Sequence, residues 1–461
     1  MNLRPFYILL LPVVIIGMTA CNNDDDNIDI VDTVISRATL GEEIITLEVP
    51  MESVSFQGGK TLTLEVGLGS GAFHAAGDPT DEIYTITDKG PTIACDESEA
   101  LIGKANFCMD NGAVDEDGKI FPVANFTPTI YKLNIDTGGL IGAKVGYEVT
   151  QTIEIKDRDK NNISGLPNPL QVTNTENAYD NKGDKKAFDP NGLDPEAIIR
   201  LSNGSFWIAD EYAPSLVHVA ADGLIMERVV PSGMENDLAE ANYRKMPILP
   251  AILKKRQLDR GIEALAISPD EQFLYFIMAG PLANPDQAAY EKSRYVRLFK
   301  LSLQDGDLLI GSVVGEYVYM LDTPETFLLD DTEKQSDVKI SEMVALDTDK
   351  LIILEQVHRH TKLYRISNLD SGTNIFGTQW DNESSSPSLE TVQNLAEQGI
   401  TQLGKKLVFD SRKEISDLDF KIEGIAILDD EYLAFINDND FGIDGIKTRV
   451  TVAKIVKQLS E

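Results

Sequence analysis

The sequence contains few histidines, cysteines and basic residues. Its 461 residues include only 4 His, 3 Cys and 41 Lys+Arg, against 75 Asp+Glu. So few histidines argue against a histidine-rich zinc centre. The formal net charge of -34 argues against nucleic acid as the main ligand, since a protein that binds a duplex needs a basic surface. Any polyanionic substrate would have to meet a local basic patch or a bound cation.

The sequence also lacks an apolar stretch long enough for an ordinary membrane-spanning helix. The apolar segment 6–16 follows Arg4 and is interrupted by a proline, which is typical of a signal peptide. The segment Gly17–Cys21 places small residues before a cysteine and resembles the lipobox of bacterial lipoproteins. We therefore expect residues 1–20 to be a lipoprotein signal peptide and Cys21 to be lipidated. Ordinary secretory cleavage is the alternative.

A polar, acidic run of Asn and Asp follows Cys21 and predicts a flexible tether. Such a run resembles the surface-export signal of some Gram-negative lipoproteins. We expect a cell-envelope protein of the outer membrane, periplasmic or surface-exposed, that meets the membrane only through its lipid anchor. Residues 21–54 would hold the lipidated cysteine, the tether and a lead-in strand, and residues 457–461 a tail.

Two cysteines remain, Cys95 and Cys108, in a compartment where thiols oxidise. We predict a disulfide between them. Their short separation closes a modest loop, worth about 3 kcal/mol in the chain-entropy description. Two buried free thiols are the alternative.

One pattern recurs four times along the chain. A glutamate starts an apolar segment, a polar turn follows, and a second apolar segment ends in most copies at acidic residues. The copies begin at Glu196, Glu263, Glu342 and Glu423. Each copy predicts a β-hairpin. The glutamates lie roughly 70 to 80 residues apart, which leaves room for four strands per repeat and is typical of propeller blades.

A degenerate copy lies upstream, around Ser70 and the segment 83–87, which ends at Asp88. Ser70 precedes Glu196 by about two repeat lengths. We therefore predict an all-β protein, a β-propeller of six blades over residues 55–456. Five or seven blades are the alternatives.

Repetition of this kind would bring the four glutamates to a similar depth around a central channel, where they would repel one another. Neighbouring bases or hard cations with oxygen ligands relieve such repulsion. Arg260, Lys339 and Lys421 precede their glutamates by two or three residues. Carboxylates that close the second strands add further oxygens, and calcium, which takes 6 to 8 oxygen ligands, suits such a funnel.

We expect four catalytic residues: Glu263, Glu423, Arg260 and Lys421. The positively charged side chains of Arg260 and Lys421 would neutralise developing negative charge. The expected calcium ligands are the carboxylates Glu196, Asp210, Glu211, Glu342, Glu355, Asp438 and Asp440. The expected substrate-binding residues are Asp88, Tyr212 and Asn439. The alternative for any one glutamate is a structural role, bound to backbone amides or paired with a base.

Several segments, in order over about residues 55–456, resemble the phytase-like family named for esterase-like activity. They are Asp88–Pro91, Phe126–Ile130, Ser164–Asn168, Gly192–Glu196, Trp207–Tyr212, Arg260–Glu263, Ser341–Glu342, Leu354–Glu355, Glu423–Gly424 and Asn437–Phe441. The segment from Cys95 to Asp117 departs from the usual pattern and looks inserted. The resemblance implies a β-propeller and, through the related β-propeller phytases, calcium-dependent phosphoester hydrolysis.

Two functions follow as hypotheses. The first is a lipid-anchored hydrolase that uses Ca²⁺ in its funnel to cleave a small-molecule phosphoric or carboxylic ester. The second is a non-catalytic propeller that captures a ligand or protein partner at the cell surface. Under either hypothesis we expect the protein to be a monomer and not to bind nucleic acid.

Overall fold

The computed structural model describes residues 43–136, 146–303 and 310–460, and these residues are mostly β-structure. The strands of the first half are β1 (Glu43–Leu47), β2 (Pro50–Ser55), β3 (Thr61–Glu65), β4 (Ala72–Phe73), β5 (Glu82–Ile86), β6 (Ile93–Ala94), β7 (Met109–Asp110), β8 (Ala113–Val114), β9 (Lys119–Ile120), β10 (Thr129–Asp136), β11 (Gly146–Glu154), β12 (Ala178–Tyr179), β13 (Pro195–Arg200), β14 (Phe206–Asp210), β15 (Ser215–Val219) and β16 (Ile225–Pro231).

The later strands are β17 (Arg244–Leu249), β18 (Ile262–Ile267), β19 (Phe273–Met278), β20 (Tyr295–Leu303), β21 (Ile310–Met320), β22 (Lys339–Asp347), β23 (Lys350–Gln356), β24 (Thr361–Ile366), β25 (Lys405–Asp410), β26 (Ile422–Ile427), β27 (Leu433–Asn437) and β28 (Thr448–Ala453). The α-helices are short: α1 (Ser98–Ile102), α2 (Gln287–Lys292), α3 (Ser411–Glu414) and α4 (Val456–Ser460). Single 3₁₀ turns lie at Cys95–Glu97, Ala251–Lys255, Pro324–Thr326, Gln335–Asp337, Leu369–Ser371, Gln379–Asp381, Leu389–Thr391, Leu395–Gln398 and Asp440–Gly442.

Most strands belong to five sheets of four or five strands. In spatial order these sheets are β4-β5-β10-β11, β13-β14-β15-β16-β17, β18-β19-β20-β21, β22-β23-β24-β25 and β26-β27-β28-β1. All neighbours pair antiparallel except β16 and β17, which pair parallel. The first strands β4, β13, β18, β22 and β26 each contact the next in this order, and β26 contacts β4, so the contacts close a cycle.

The apolar strands form these sheets because both of their faces are covered. All five residues of β14 and of β15 are buried, as are most of those in β19, β23 and β27. The apolar clusters lie between neighbouring sheets, so each side of a sheet packs on the next one. Fully apolar strands are expected where a sheet has no solvent face.

The described residues form five such sheets, whereas the sequence favours six. The difference lies between β5 and β13, where an additional blade was expected. Strands β10 and β11 complete the sheet of β4 and β5, and residues 155–194 contain one two-residue strand, β12, among turns. Strands β6, β9 and β12 form a small sheet of their own, and β2-β3 and β7-β8 form two hairpins. The extra chain length is therefore spent on connections and small sheets.

The predicted disulfide is confirmed. Cys95 and Cys108 are bonded, with their Cα atoms 5.9 Å apart, which excludes the alternative of two free thiols. Both lie in a small apolar cluster with Ile102, Phe107 and Ile120. The expected inserted segment is thus tied to the sheet of β6, β9 and β12.

The N-terminal predictions, namely the signal peptide, Cys21 and the tether, lie outside the described residues. Within the described part of the chain, no helix combines the length and the apolar character needed to cross a membrane.

Strand β1 joins the two ends of the described chain. It precedes residue 55 and pairs antiparallel with β28, so that residues 43–47 complete a sheet whose other strands span 422–453. Ile45 lies opposite Val450 and is only 2% exposed, whereas the adjacent Ile44 is 43% exposed.

We expect Ile45→Asp to destabilise the protein strongly and Ile44→Asp to have little effect. The first change buries an unpaired carboxylate between two sheets and should lower the free energy of unfolding by about 3 kcal/mol or more. The second places the same charge on the solvent face of the same strand. Denaturant unfolding of both variants measures the difference, and equal losses would contradict a closing role for β1.

Candidate functional site

Four of the first strands share an irregularity near their starts. In β13, β18, β22 and β26, one residue is left out of the pairing with the second strand. The residues skipped in this way are Glu196, Glu263, Ser341 and Glu423. Such a bulge turns the side chain of the extra residue away from its regular direction in the sheet. The three glutamates therefore leave the ladder at equivalent places.

This register corrects the expected equivalence of the four glutamates. Ser341, rather than Glu342, occupies the bulge in β22, and its hydroxyl accepts a hydrogen bond from Gln356 Nε2 at 2.6 Å. Glu342 stands one residue further along, where the other sheets have Ala197, Ala264 and Gly424. Its buried carboxylate accepts hydrogen bonds from the amides of Met343 at 2.9 Å and Ala72 at 3.4 Å.

Charged side chains from adjacent sheets meet where the first strands begin, and we call this region the mouth. The mouth comprises Asp88, Lys89, Asp194, Glu196, Glu211, Arg260, Glu263, Lys339, Lys421 and Glu423. Lys339, from β22, bridges the two neighbouring sheets. Its Nζ lies 2.6 Å from Glu423 Oε1 and 3.3 Å from Glu263 Oε1.

Lys89 has the same bridging role on the other side of the mouth. Its Nζ lies 2.5 Å from Asp194 Oδ2, 3.7 Å from Asp88 Oδ1 and 3.9 Å from Glu211 Oε2. Burial lowers the pKa of the Lys89 ammonium, but the carboxylates of Asp194 and Asp88 outweigh burial and raise this pKa well above its usual value. Lys89 is therefore a permanent positive charge inside the mouth.

Three carboxylates of the mouth come together closely enough to hold one cation. Oxygen atoms of Asp88, Asp194 and Glu196 lie within 4.8 Å of one another. Asp194 Oδ1 is buried without a hydrogen-bond partner among the described residues. Burial, together with the charges of Asp194 and Asp88, raises the pKa of Glu196 well above its usual value. These hard oxygen donors, one of them unpaired, fit calcium better than a softer metal.

Glu263, one of the two glutamates paired with Lys339, has a pKa at which it can exchange a proton near neutral pH. Burial raises the pKa of Glu263 to about 7, the ammonium of Lys339 opposes this shift, and the carboxylates of Glu211 and Glu423 add to it. A carboxyl group with such a pKa can act as a general acid or base at physiological pH. The mouth thus contains a proton-transfer group beside a set of cation ligands.

A second pair of acids lies next to Lys421. Its Nζ contacts Asp438 Oδ2 at 3.0 Å and Asp440 Oδ1 at 2.5 Å. Burial and the nearby Asp438 carboxylate raise the pKa of Asp440 to about 7. Between them, Asn439 accepts a hydrogen bond from the Phe441 amide at 3.1 Å, while its Nδ2 is buried with no partner in the described part of the chain.

One expected ligand, Asp210, and one expected substrate contact, Tyr212, have other partners. Asp210 forms a fully buried ion pair with Arg228 at 2.5 Å and also accepts hydrogen bonds from the Asp194 amide and Ser215. Tyr212 donates its hydroxyl to the Gly165 carbonyl at 2.8 Å. We therefore leave Asp210 and Tyr212 out of the proposed site.

Glu355 lies in a separate cluster between the third and fourth sheets. Its carboxylate accepts hydrogen bonds from Tyr319 and Lys405 and, at 2.9 Å, from the Asp322 amide. These partners lie on or next to strands β21 and β25, and Glu355 itself lies on β23. Glu355 is likewise left out of the proposed site.

Several residues at or near the mouth are not among those predicted from the sequence. Lys89 and Asp194 occur in segments that carry the family resemblance, which is the one signal that points to them. Lys119, at the rim, contacts Asp259 Oδ1 at 2.7 Å and Glu176 Oε2 at 3.2 Å. Nothing in the local sequence around these three residues predicts that contact, because they belong to the small sheet and to two distant loops.

A cavity of about 1330 Å³ lies at the C-terminal ends of the first strands, whereas the mouth lies where these strands begin. Its acidic residues mainly hold turns: Glu271 accepts hydrogen bonds from the amide and hydroxyl of Ser202, and Asp429 accepts them from the amides of Glu431 and Tyr432. The carboxylates that could hold a cation lie instead at the mouth, so we place the candidate site there.

Comparison with known proteins identifies one family. A family model described as phytase-like, with the esterase-like activity of phytase, matches residues 69–441. A protein of Arthroderma benhamiae described as an uncharacterized secreted protein is 24% identical over 237 residues. The match covers 46% of this chain and 45% of that protein, so the chain spans about half the length of this relative.

Two solved structures are similar at low scores. A luciferin-regenerating enzyme has 12% identity and a TM-score of 0.32, with 88% of this chain and 95% of that chain covered. The PQQ-bound aldose sugar dehydrogenase of Streptomyces coelicolor has 9% identity and a TM-score of 0.30, with 89% and 98% covered.

The raised pKa of Glu263 predicts a pH-dependent gain in stability for Glu263→Gln. Between about pH 4.5 and pH 7 the folded protein keeps a proton on Glu263 that the unfolded chain has lost, so native stability falls as pH rises through this window. Glutamine removes that cost, and we expect the variant to raise the melting temperature more at pH 8 than at pH 5. Glu99→Gln, at an exposed position of helix α1, is the control. Equal shifts at both pH values would contradict the raised pKa.

Proposed function

Since the chain belongs to the phytase-like family, described as having the esterase-like activity of phytase, we propose that it hydrolyses phosphoric or carboxylic esters at the mouth. One observation carries the proposal: Glu263, whose pKa is raised to about 7 by burial, lies in the same charged cluster as the three carboxylates that fit a cation. A proton-transfer group and a cation site are the two components that metal-assisted ester hydrolysis requires.

We propose further that the five large sheets are the blades of a five-bladed propeller. The closed cycle of contacts among β4, β13, β18, β22 and β26 supports this architecture. The pairing of β1 with β28 supports it as well, because a ring of blades is closed most directly by a sheet that draws strands from both ends of the chain. In such a ring the mouth would open at one end of the central axis.

The proposed cofactor is calcium, held by Asp88, Asp194 and Glu196. Their oxygens are near one another, and Asp194 Oδ1 and the Glu196 carboxylate have no described hydrogen bond or ion pair. A bound calcium ion would supply positive charge beside the ester oxygens and so stabilise the negative charge of the transition state. Lys89, which pairs with Asp194 and Asp88, would keep these carboxylates in place.

Glu263 is the proposed general base. It would take a proton from the attacking water as the water oxygen bonds to the phosphorus or carbonyl carbon and the bond to the alcohol oxygen breaks. The departing alcohol would recover a proton from the acidic side chains of the mouth or from water. Lys339 would hold Glu263 and Glu423 in place, since it pairs with both. Lys421 remains beside Glu423 and adds positive charge.

We propose an extracytoplasmic location in the cell envelope, with lipidation at Cys21. The lipobox-like segment Gly17–Cys21, the disulfide between Cys95 and Cys108, and the similarity to a protein described as secreted support it. The disulfide is informative because such bonds persist in oxidising compartments. The outer membrane, a monomeric state and a small ester substrate remain parts of the same proposal.

Calcium binding should depend on Glu196. We expect Glu196→Gln to weaken the calcium affinity about 10-fold or more, because it removes one of the three proposed carboxylate ligands. Glu342→Gln is the matched control, since that buried carboxylate is held by the amides of Met343 and Ala72 and lies outside the triad. Isothermal titration of Ca²⁺ into each protein measures the effect. Equal affinities for wild type and Glu196→Gln would refute the assignment.

Hydrolysis should depend on calcium and on Glu263. We expect p-nitrophenyl phosphate or a p-nitrophenyl carboxylic ester to be cleaved with Ca²⁺ and not with a chelator. Glu263→Gln should reduce kcat about 100-fold or more, as loss of a general base commonly does. Glu271→Gln, in a turn at the far end of β18, is the control. If a folded, calcium-loaded protein cleaves no ester in a broad panel, the alternative of a ligand-binding propeller is favoured.

A further inference from the structure

The backbone of Arg260 is fixed at the entrance of the mouth. The Arg260 amide donates to the Gln257 carbonyl at 3.1 Å, and Asp259 adopts a positive φ of 55°, so residues 257–260 form a tight turn directly before β18. The next residue, Gly261, packs against the backbone of Glu211, and a Cβ there would lie 2.3 Å from the Glu211 carbonyl oxygen. The turn and this close contact hold the start of the Arg260 side chain in one place.

The guanidinium of Arg260 differs from the other positive charges nearby. Each of the surrounding lysines forms an ion pair with at least one carboxylate, namely Lys89, Lys119, Lys339 and Lys421. Arg260 forms none within the described residues, where its guanidinium makes one hydrogen bond, from Nη1 to the carbonyl of Asp259 at 2.7 Å. Buried Arg256 also lacks an ion pair, but it donates to the carbonyls of Tyr212 and Asn174.

The acids nearest to Arg260 already have partners. Glu263 is paired with Lys339, and Glu211 accepts a hydrogen bond from the Gly261 amide at 3.3 Å. Beside the arginine stem, Gly280 offers no side chain, and a Cβ there would only just touch Arg260 Cδ, at 3.9 Å. Arg260 is partly exposed. Its remaining guanidinium N–H groups have no partner among the described residues and can therefore bind a ligand.

We infer that Arg260 is the group that recognises an anionic oxygen substituent, a phosphate or a carboxylate, on the substrate. The inference rests on the proposed function, which it deepens by selecting charged over neutral esters. A guanidinium presents parallel N–H donors that match the two oxygens of such a group, and charge-assisted pairs of this kind are both strong and directional. A lysine already bound to carboxylates would have to give up an ion pair to do the same.

Because the mouth is acidic, the guanidinium of Arg260 is important for the binding of an anionic substrate. An anionic substrate is repelled by the carboxylates of the mouth unless positive charge is available at the point of contact. Calcium at Asp88, Asp194 and Glu196 would reduce this repulsion, so calcium and the anion should each strengthen the binding of the other. Arg260 would then fix the orientation of the charged substituent.

Chemical labelling of the intact protein tests the inference without requiring turnover. Phenylglyoxal modifies accessible guanidinium groups, and peptide mass spectrometry measures the extent of modification at each arginine. We expect Arg260 to react, and inorganic phosphate, acetate or both to protect it, more strongly with Ca²⁺ than without. Arg359 is the internal control, because it is exposed and rests on the Phe420 ring at 4.9 Å. Protection by phosphate alone identifies a phosphoester as the source of the anion, and protection by acetate alone identifies a carboxylate.

Two results would overturn the inference: Arg260 that does not react, or Arg260 that phosphate and acetate protect no better than Arg359 under both conditions. Substitutions supply a second measure. We expect Arg260→Gln to weaken binding of the protecting anion about 10-fold or more, and Arg260→Lys to retain part of it. Unchanged anion affinity in a folded Arg260→Gln protein would also refute the inference.

The same experiments separate this inference from the proposed function. If Ca²⁺ binds and esters are cleaved while Arg260 is unprotected, the hydrolase stands and the anion contact is refuted. If Arg260 is protected while no ester is cleaved, the anion contact stands and the hydrolase proposal fails.

Discussion

The structure depends on the pairing of carboxylates with ammonium groups that come from other strands. The bulges in β13, β18 and β26 turn three glutamates toward one end of the sheets, where burial penalises their charge. Lys339 stands between two of them, and Lys89 joins carboxylates on the opposite side. Removing one of these bases would leave buried acids unpaired, a more costly state than the absence of both partners. The same pairs hold the starts of adjacent sheets together and set the electrostatics of the mouth.

Much of the β-structure could be predicted from the sequence. The four hairpins that begin near Glu196, Glu263, Glu342 and Glu423 are present as β13-β14, β18-β19, β22-β23 and β26-β27, because uninterrupted apolar segments on both sides of a polar turn have few other ways to bury both faces. The number of large sheets could not be predicted from the chain length. Residues 155–194 are as long as half a repeat or more, but they lack the apolar segments of a repeat. The length of a segment between two repeats shows that a further sheet could fit there, but it does not show that the sheet forms.

The sequence indicated which types of residue meet at the candidate site better than it indicated which of them contact each other. Asp88, Glu196, Glu263 and Glu423 do come together, and the bases near them in sequence lie at the same place. The choice of partners was not predictable, because Lys89 and Asp194 are 105 residues apart and no periodicity relates them. The alignment of Glu342 failed for a different reason: Ile340–Ser341 matches Ile262–Glu263 and Ile422–Glu423, and the identity of the bulge residue is set by strand register rather than by its charge.

The sheet that combines β1 with β26, β27 and β28 has a consequence for how the protein is made. Strand β1 leaves the ribosome before any other described residue, and its partner β28 leaves only after strands β2 to β27. Until β28 has been synthesised, residues 43–47 have an unpaired edge, which can recruit strands from other chains. The sheet that contains β1 therefore stays incomplete while residues 48–447 are being made, and β1 has no partner strand during that time.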